Sequence, residues 1–128
     1  MRILITNDDG LHAEQLVPLI KWCQKIGDVT TFVPKFEQSG KSHSIALRDP
    51  FAVETVELVA GSRAYTVDSS PADCVRYAVL GLKQHYDLVV SGINRGFNMG
   101  RDIMYSGTAG AVFEAVSLGM KAVALSTG

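Results

Sequence analysis

The chain has 128 residues, the size of one domain, and a chain of that length can bury a core without a disulfide or a structural metal. Apolar residues make up 47% and charged residues 20%, which is ordinary globular usage and excludes a disordered chain. Twelve basic against thirteen acidic residues give a formal charge of -1, so there is no global attraction to nucleic acid, and no apolar run approaches the ~20 residues of a membrane span.

The run Ile3-Leu4-Ile5-Thr6 is short, apolar and unalternating, and Asn7-Asp8-Asp9-Gly10 ends it. This is the pattern of a buried parallel strand. It is too short for a secretory signal. Leu16, Leu19, Ile20, Cys23 and Ile26 recur every three or four residues and predict a helix closed by Gly27, with Pro18 tolerable only near its first turn. Residues 29–33 are β-branched and predict a strand stopped by Pro34. Residues 35–50 are polar and aperiodic, a loop long enough to be functional. Residues 51–59 and 63–67 read as two extended segments joined across Gly61-Ser62, a hairpin pattern.

Ser70-Pro71 supplies an N-cap and a first-turn proline for a helix running on to Leu82. Leu88-Val89-Val90 is a further buried strand, followed by a Gly- and Asn-rich loop over residues 92–107. Residues 108–118 predict a helix with Val112, Phe113 and Val116 inward, and residues 122–125 a last strand. Strands alternating with helices imply an α/β fold: a three-layer, doubly wound, Rossmann-like and mostly parallel sheet in one domain over residues 1–128. The two cysteines, Cys23 and Cys74, fall in predicted helices as small core residues, which fits reduced thiols and a cytoplasmic protein.

In such sheets ligands bind beyond the carboxyl ends of the strands. Asp8 and Asp9 stand there, and two adjacent carboxylates at a strand end are tolerated when a cation lies between them. A hard ion such as Mg²⁺ or Mn²⁺ suits oxygen ligands of this kind, although Asn-Asp-Asp-Gly is also good turn composition. Ser39-Gly40 brings a hydroxyl and an amide to the same end of the sheet or forms a plain surface turn. Asn94 and Asn98 offer neutral oxygens or brace their own loop. Ser106-Gly107-Thr108 opens a helix, an arrangement that serves either as a phosphate site or as a simple cap. It is not a P-loop, because the Gly-Lys-Ser/Thr ending is absent. His12, His43 and His85 lack zinc-like spacing, so surface or supporting roles are expected, with His43 the one nearest Ser39. A carboxylate pair holding a metal beside an anion-binding helix end suggests metal-assisted hydrolysis of a phosphate ester.

The blocks Ile3-Leu4-Ile5-Thr6-Asn7-Asp8-Asp9-Gly10, Ser39-Gly40, Pro71-x-Asp73-Cys74-Val75, Ser91-Gly92-Ile93-Asn94-x-Gly96-x-Asn98-x-Gly100 and Tyr105-Ser106-Gly107-Thr108 resemble, in order, those of the SurE family of metal-dependent nucleotidases. The resemblance runs to about residue 126. It implies one divalent metal ion held by Asp8, Asp9, Ser39 and Asn94, with Asp8 and Asp9 catalytic. It also implies phosphate contacts from Asn7, Gly40, Asn98, Ser106, Gly107 and Thr108, and a nucleoside 5′- or 3′-monophosphate as substrate. Two attacking groups stay open, a metal-activated water and the Asp8 carboxylate. Gln15-Leu16 departs from the glycine usual in the family after Ala13. Family members continue well past the position matched by Gly128, through an arm that makes dimer and tetramer contacts, so a homo-oligomer is the implied assembly.

Other readings are separated by single residues. A phosphoacceptor receiver domain needs an aspartate where Ser91 stands. A haloacid-dehalogenase-type phosphatase needs one where Gly10 stands. A nucleotide-binding module without turnover differs only in releasing no phosphate.

Overall fold

The computed structural model describes residues 1–38, 45, 50–97 and 99–128. Among the described residues six strands form one sheet: β1 (Arg2–Thr6), β2 (Asp28–Pro34), β3 (Val53–Val56), β4 (Arg63–Val67), β5 (Leu88–Arg95) and β6 (Ala122–Thr127). Their order is β3-β4-β2-β1-β5-β6, and every pairing is parallel except β3 with β4. β1 is central because both of its faces are apolar. Ile3 and Ile5 pack with α1 (Leu16–Gln24) on one side, through Leu16, Leu19, Ile20 and Cys23. Leu4 joins Phe32, Cys74, Val75, Val89 and Ala111 on the other, beneath α2 (Pro71–Arg76) and α3 (Gly107–Ser117). One helix on one face and two on the other give the three layers expected of a doubly wound sheet.

The hairpin is present, with Val53 opposite Val67 and Gly61 at φ +80° in its connection. Ser70 caps α2 as the sequence indicates, its hydroxyl accepting from the Asp73 amide at 3.2 Å, and Pro71 fills the first helical position. The helix does not run uniformly to Leu82. It widens into a π-helical stretch over Tyr77–Gly81.

Two expectations need correcting beyond β1. The strand at residues 88–90 continues as β5 to Arg95, and the supposed loop over residues 92–107 is strand as far as Arg95, with a 3₁₀ helix at Gly100–Tyr105. The continuation survives the polar Ser91-Gly92 because the β5/β6 register slips between Ser91 and Asn94, which restarts pairing at Asn94 opposite Ser126. Gly92 is required there: it sits at φ +142°, and a Cβ would run into the Leu125 carbonyl. In α3, Phe113 and Val116 point outward, 48% and 56% exposed. The small Ala111 and Ala115 face the core instead, because close approach of α3 to α2 leaves no space for larger side chains.

β6 is an edge strand, and Val123 on it is also exposed. No helix among the described residues is long and apolar enough to cross a membrane. Both cysteines are free and buried, and burial pushes both thiols up from their usual acidity.

Candidate active site

The chain leaves β1 toward α1 and β2 on one side, whereas β5 lies on the other, so the switch point of the sheet is at the carboxyl ends of β1 and β5. Thr6 pairs with Ser91 at this point, and Asn7-Asp8-Asp9-Gly10 follows directly. Asn7 shapes the turn. Its side-chain Nδ2 donates to the Gly10 carbonyl and its Oδ1 accepts from the Gly10 amide, both at 3.0 Å. Gly10, at φ +92°, lies close against the Pro34 carbonyl. The Asn7 side chain, buried and engaged in this way, acts on any ligand through the loop it holds.

The turn projects Asp8 inward, where it is only 4% exposed. Its backbone carbonyl accepts from the Gln38 amide at 2.7 Å, which ties the segment after β2 to the site. Its carboxyl is raised from the usual 3.8 to about 6, chiefly by burial and next by the negative charge of Asp9. The Thr108 hydroxyl acts the other way. Asp9 is more open, and its Oδ2 accepts from the Arg95 amide at 3.1 Å, linking the turn to the end of β5.

Asn94 is delivered by β5, one residue before that amide. Its Nδ2 donates to the Gly96 carbonyl at 2.9 Å, which turns the amide oxygen away from that bond. The amino terminus of α3 closes the other side. Ser106 accepts from the Ala109 amide at 3.1 Å, an ordinary cap, and Gly107 packs against Asp8. A Cβ at Gly107 would lie 3.0 Å from Asp8 Cβ and 3.2 Å from Pro71 Cγ.

Among the described residues, five buried side-chain oxygens lack a hydrogen-bond partner: Thr6 Oγ1, Asp8 Oδ1, Thr31 Oγ1, Ser91 Oγ and Thr108 Oγ1. Asp8 packs against Gly107, the Thr108 hydroxyl acts on its carboxyl, and Thr6 and Ser91 form a strand pair of the same sheet end. Buried oxygens are not left unpaired without a reason. A carboxylate of raised pKa, a second carboxylate 3.1 Å from a β5 amide and an asparagine oxygen form a hard donor set, which fits a divalent cation of the Mg²⁺ or Mn²⁺ kind. The Thr108 hydroxyl and the first amides of α3 suit an anion beside it.

The structure therefore gathers Asp8, Asp9, Asn94, Ser106, Gly107 and Thr108 at one end of the sheet, with Asn7 bracing them. Ser39, Gly40, His43 and Asn98 lie outside the described residues. Sequence reasoning missed the Arg95 amide, because a backbone donor carries no residue-type signal. It also missed the tight Gly107–Asp8 packing, for which a glycine at the start of a helix was the available hint.

Fold and site together define a doubly wound α/β domain with an acidic switch-point site flanked by the capped amino terminus of α3. Residues 3–128 match the family described as survival protein SurE, and the chain belongs to that family. It is 46% identical over 127 residues to a protein of Herpetosiphon aurantiacus named 5′-nucleotidase SurE, covering 98% of this chain and 50% of that protein. It is 43% identical over 128 residues to a protein of the same name from Rhodopirellula baltica, covering 98% and 51%. The crystal structure of the SurE protein from Aquifex aeolicus superposes with a TM-score of 0.84 at 34% identity, over 98% of this chain and 50% of that one. The chain thus spans about half the length of the curated relatives it matches.

Proposed function

We propose that the chain carries the catalytic site of a metal-dependent phosphomonoesterase that hydrolyses nucleoside 5′-monophosphates, and 3′-monophosphates as well, to nucleoside and phosphate. The observation that carries this reading is the buried Asp8 carboxyl, set against Gly107 at the start of α3 with the Thr108 hydroxyl acting on it. Asp8, Asp9 and Asn94 would hold one divalent ion, Mg²⁺ or Mn²⁺, with Ser39 as a fourth ligand. When bound, such an ion supplies Lewis-acid polarisation of the phosphoryl group and its attacking or leaving oxygen.

The protein's own contribution is positional. The Asn7–Gly10 clamp fixes the two carboxylates, and the Arg95 amide holds Asp9 in one orientation. The raised proton affinity of Asp8 means that a cation must displace a proton at the lower end of the physiological range, so ion binding and Asp8 ionisation are linked. Thr108 donates to a phosphoryl oxygen, and the amides of Gly107 and Thr108, with the α3 dipole behind them, offset its charge. Ser106 supports these amides as the cap of α3. Gly40 and Asn98 complete the phosphate contacts in this reading. The names of the relatives support a nucleotidase, and the buried free cysteines suit a cytoplasmic setting. A homo-oligomer remains the assembly proposed from family membership.

The test is phosphate release from a panel of nucleoside 5′- and 3′-monophosphates with Mg²⁺, with Mn²⁺ and with chelator. Metal-dependent release is the expected result. Release that persists undiminished in chelator would contradict the metal's role, and absence of release with every substrate and both ions would contradict the activity assigned to this chain.

A further inference from the structure

At the opposite end of the sheet from Asp8, a small pocket of about 60 Å³ lies at the amino ends of β1 and β4. Leu4, Thr30 and Arg63 stand in one row across β1, β2 and β4. Side chains alternate along a strand, so Arg2 shares the face of Leu4, and Arg63 that of Tyr65. This is the face on which Leu4 and Phe32 pack with α2. Thr30 floors the pocket, and the rings of Phe32, Tyr65 and Tyr86 wall it.

Its two charged groups have the same sign. Arg2 and Arg63 both line the pocket, and no carboxylate does. The ion pairs among the described residues join Lys35 to Glu54 and Arg76 to Glu114, and include neither arginine. Asp87, close by in the sheet, spends its carboxylate on the Arg2 backbone amide at 2.7 Å. Tyr86 registers both guanidiniums: burial holds its hydroxyl above the usual range, and the charges of Arg2 and Arg63 each act in the opposite direction. Two like charges brought to one pocket repel, and an anion between them removes that cost. Arg2 is also held in place. Its Cζ lies 5.2 Å from the centroid of the Tyr86 ring, and its Nη2 donates to the Gln84 side-chain oxygen, which leaves its other N–H groups to a ligand. The chain turns at Lys83, a non-glycine residue at φ +53°, and Leu82 and Gln84 on either side of it both line the pocket.

We propose that this pocket is a second ligand site, separate from the switch-point site, which holds a phosphate dianion between Arg2 and Arg63. Guanidinium forks match the oxygens of such an anion two at a time. The volume is about twice the ~30 Å³ that one water occupies in the liquid. That admits one phosphate group and falls far below the ~300 Å³ at which sites for larger organic ligands begin. The inference does not depend on the phosphomonoesterase reading, because it uses no residue of the acidic end of the sheet.

Tyrosine resonances locate the ion. The chain holds 4 tyrosines; Tyr65 and Tyr86 line this pocket, whereas Tyr105 precedes Ser106 at the other end of the sheet. Protein labelled with ¹³C-tyrosine is titrated with inorganic phosphate at pH 7.5, in chelator and at about physiological ionic strength, where long-range attraction is screened. Phosphate is expected to shift the Tyr86 and Tyr65 ring signals saturably and to leave Tyr105 in place. The affinity read from Tyr86 should fall about 10-fold or more in Arg63→Gln and about 3-fold in Arg63→Lys, which keeps the charge but loses the fork. Lys121→Gln removes a positive charge outside the pocket and should change it by less than about 2-fold. Glycerol 3-phosphate that binds much more weakly supports the free ion as ligand, and equal binding supports a phosphoryl group carried by a larger solute. Shifts confined to Tyr105, a Tyr86 shift that never saturates, or equal losses in Arg63→Gln and Lys121→Gln would overturn the site. None of these results bears on hydrolysis, since the metal is chelated throughout.

Discussion

Replacing Asp8 by Asn tests the electrostatics of the site without any catalytic assay. The carboxyl is raised from 3.8 to about 6 mainly by burial. At about 1.4 kcal/mol for each tenfold change in proton affinity, the ionised form disfavours the metal-free folded state by at most about 3 kcal/mol. A neutral Asn of the same shape removes that cost but brings an NH₂ group that needs a partner, a penalty of about 1 kcal/mol. The net expectation in chelator at pH 8 is a gain of about 1–2 kcal/mol, or roughly 4–8 °C in Tm for a chain of this length. The sign follows from the direction of the shift. A raised carboxyl contributes stability that is fully present below 3.8 and is lost as pH rises through about 6. Wild-type protein should therefore weaken relative to Asp8→Asn between pH 4 and pH 6.5, with a constant gap above. Thermal unfolding followed by circular dichroism across pH 4–8 measures this. A gap that does not change with pH would refute the burial argument, and Mg²⁺ should raise the Tm of the wild type but not of the variant.

Three other substitutions probe separate parts of the account. Gly107→Ala places a methyl 3.0 Å from Asp8 Cβ, so metal affinity measured by calorimetry should fall about 10-fold, with about 1–3 kcal/mol of overpacking in unfolding experiments; unchanged affinity would show that Asp8 is not held by this contact. Gly92→Ala meets the Leu125 carbonyl at a positive φ, and denaturant unfolding should report a loss of about 3 kcal/mol or more, whereas a loss under about 1 kcal/mol would mean that the β5/β6 slip adjusts freely. The exposed Val123 on edge strand β6 should drive concentration-dependent association in sedimentation. Val123→Lys should suppress it, and equal association of both forms would place the contact elsewhere.

Much of the fold was legible because its strands are buried on both faces. Ile3-Leu4-Ile5 and Leu88-Val89-Val90 could only be interior, and Ser70-Pro71 announced a helix start that the Ser70 cap bears out. What escaped was set by tertiary geometry. The slip at Gly92 that carries β5 on to Asn94 depends on the neighbouring strand, so local composition suggested a loop. Phe113 and Val116 face outward because α3 packs through alanines, a choice made by the approach of α2 and not by hydrophobicity. In the site, Asp8 and Asp9 were legible as paired carboxylates after a strand, and Asn94 only as a neutral oxygen or a brace within what read as a loop. Asn7 was not separable from them by type, although its side chain serves the turn. His12 was expected to stand outside the chemistry, and only the folded chain shows that it lines a cavity with Asp9.

The most direct measurement is hydrolysis of a nucleoside 5′-monophosphate by wild type and Asp8→Asn side by side, at pH 7.5 with saturating Mn²⁺. The account predicts phosphate release by the wild type and a loss of about 10³-fold or more in kcat for the variant, the scale seen when a principal transition-state stabiliser is removed. A variant that releases phosphate at the wild-type rate would contradict the assignment of Asp8 and, with it, the metal-dependent site.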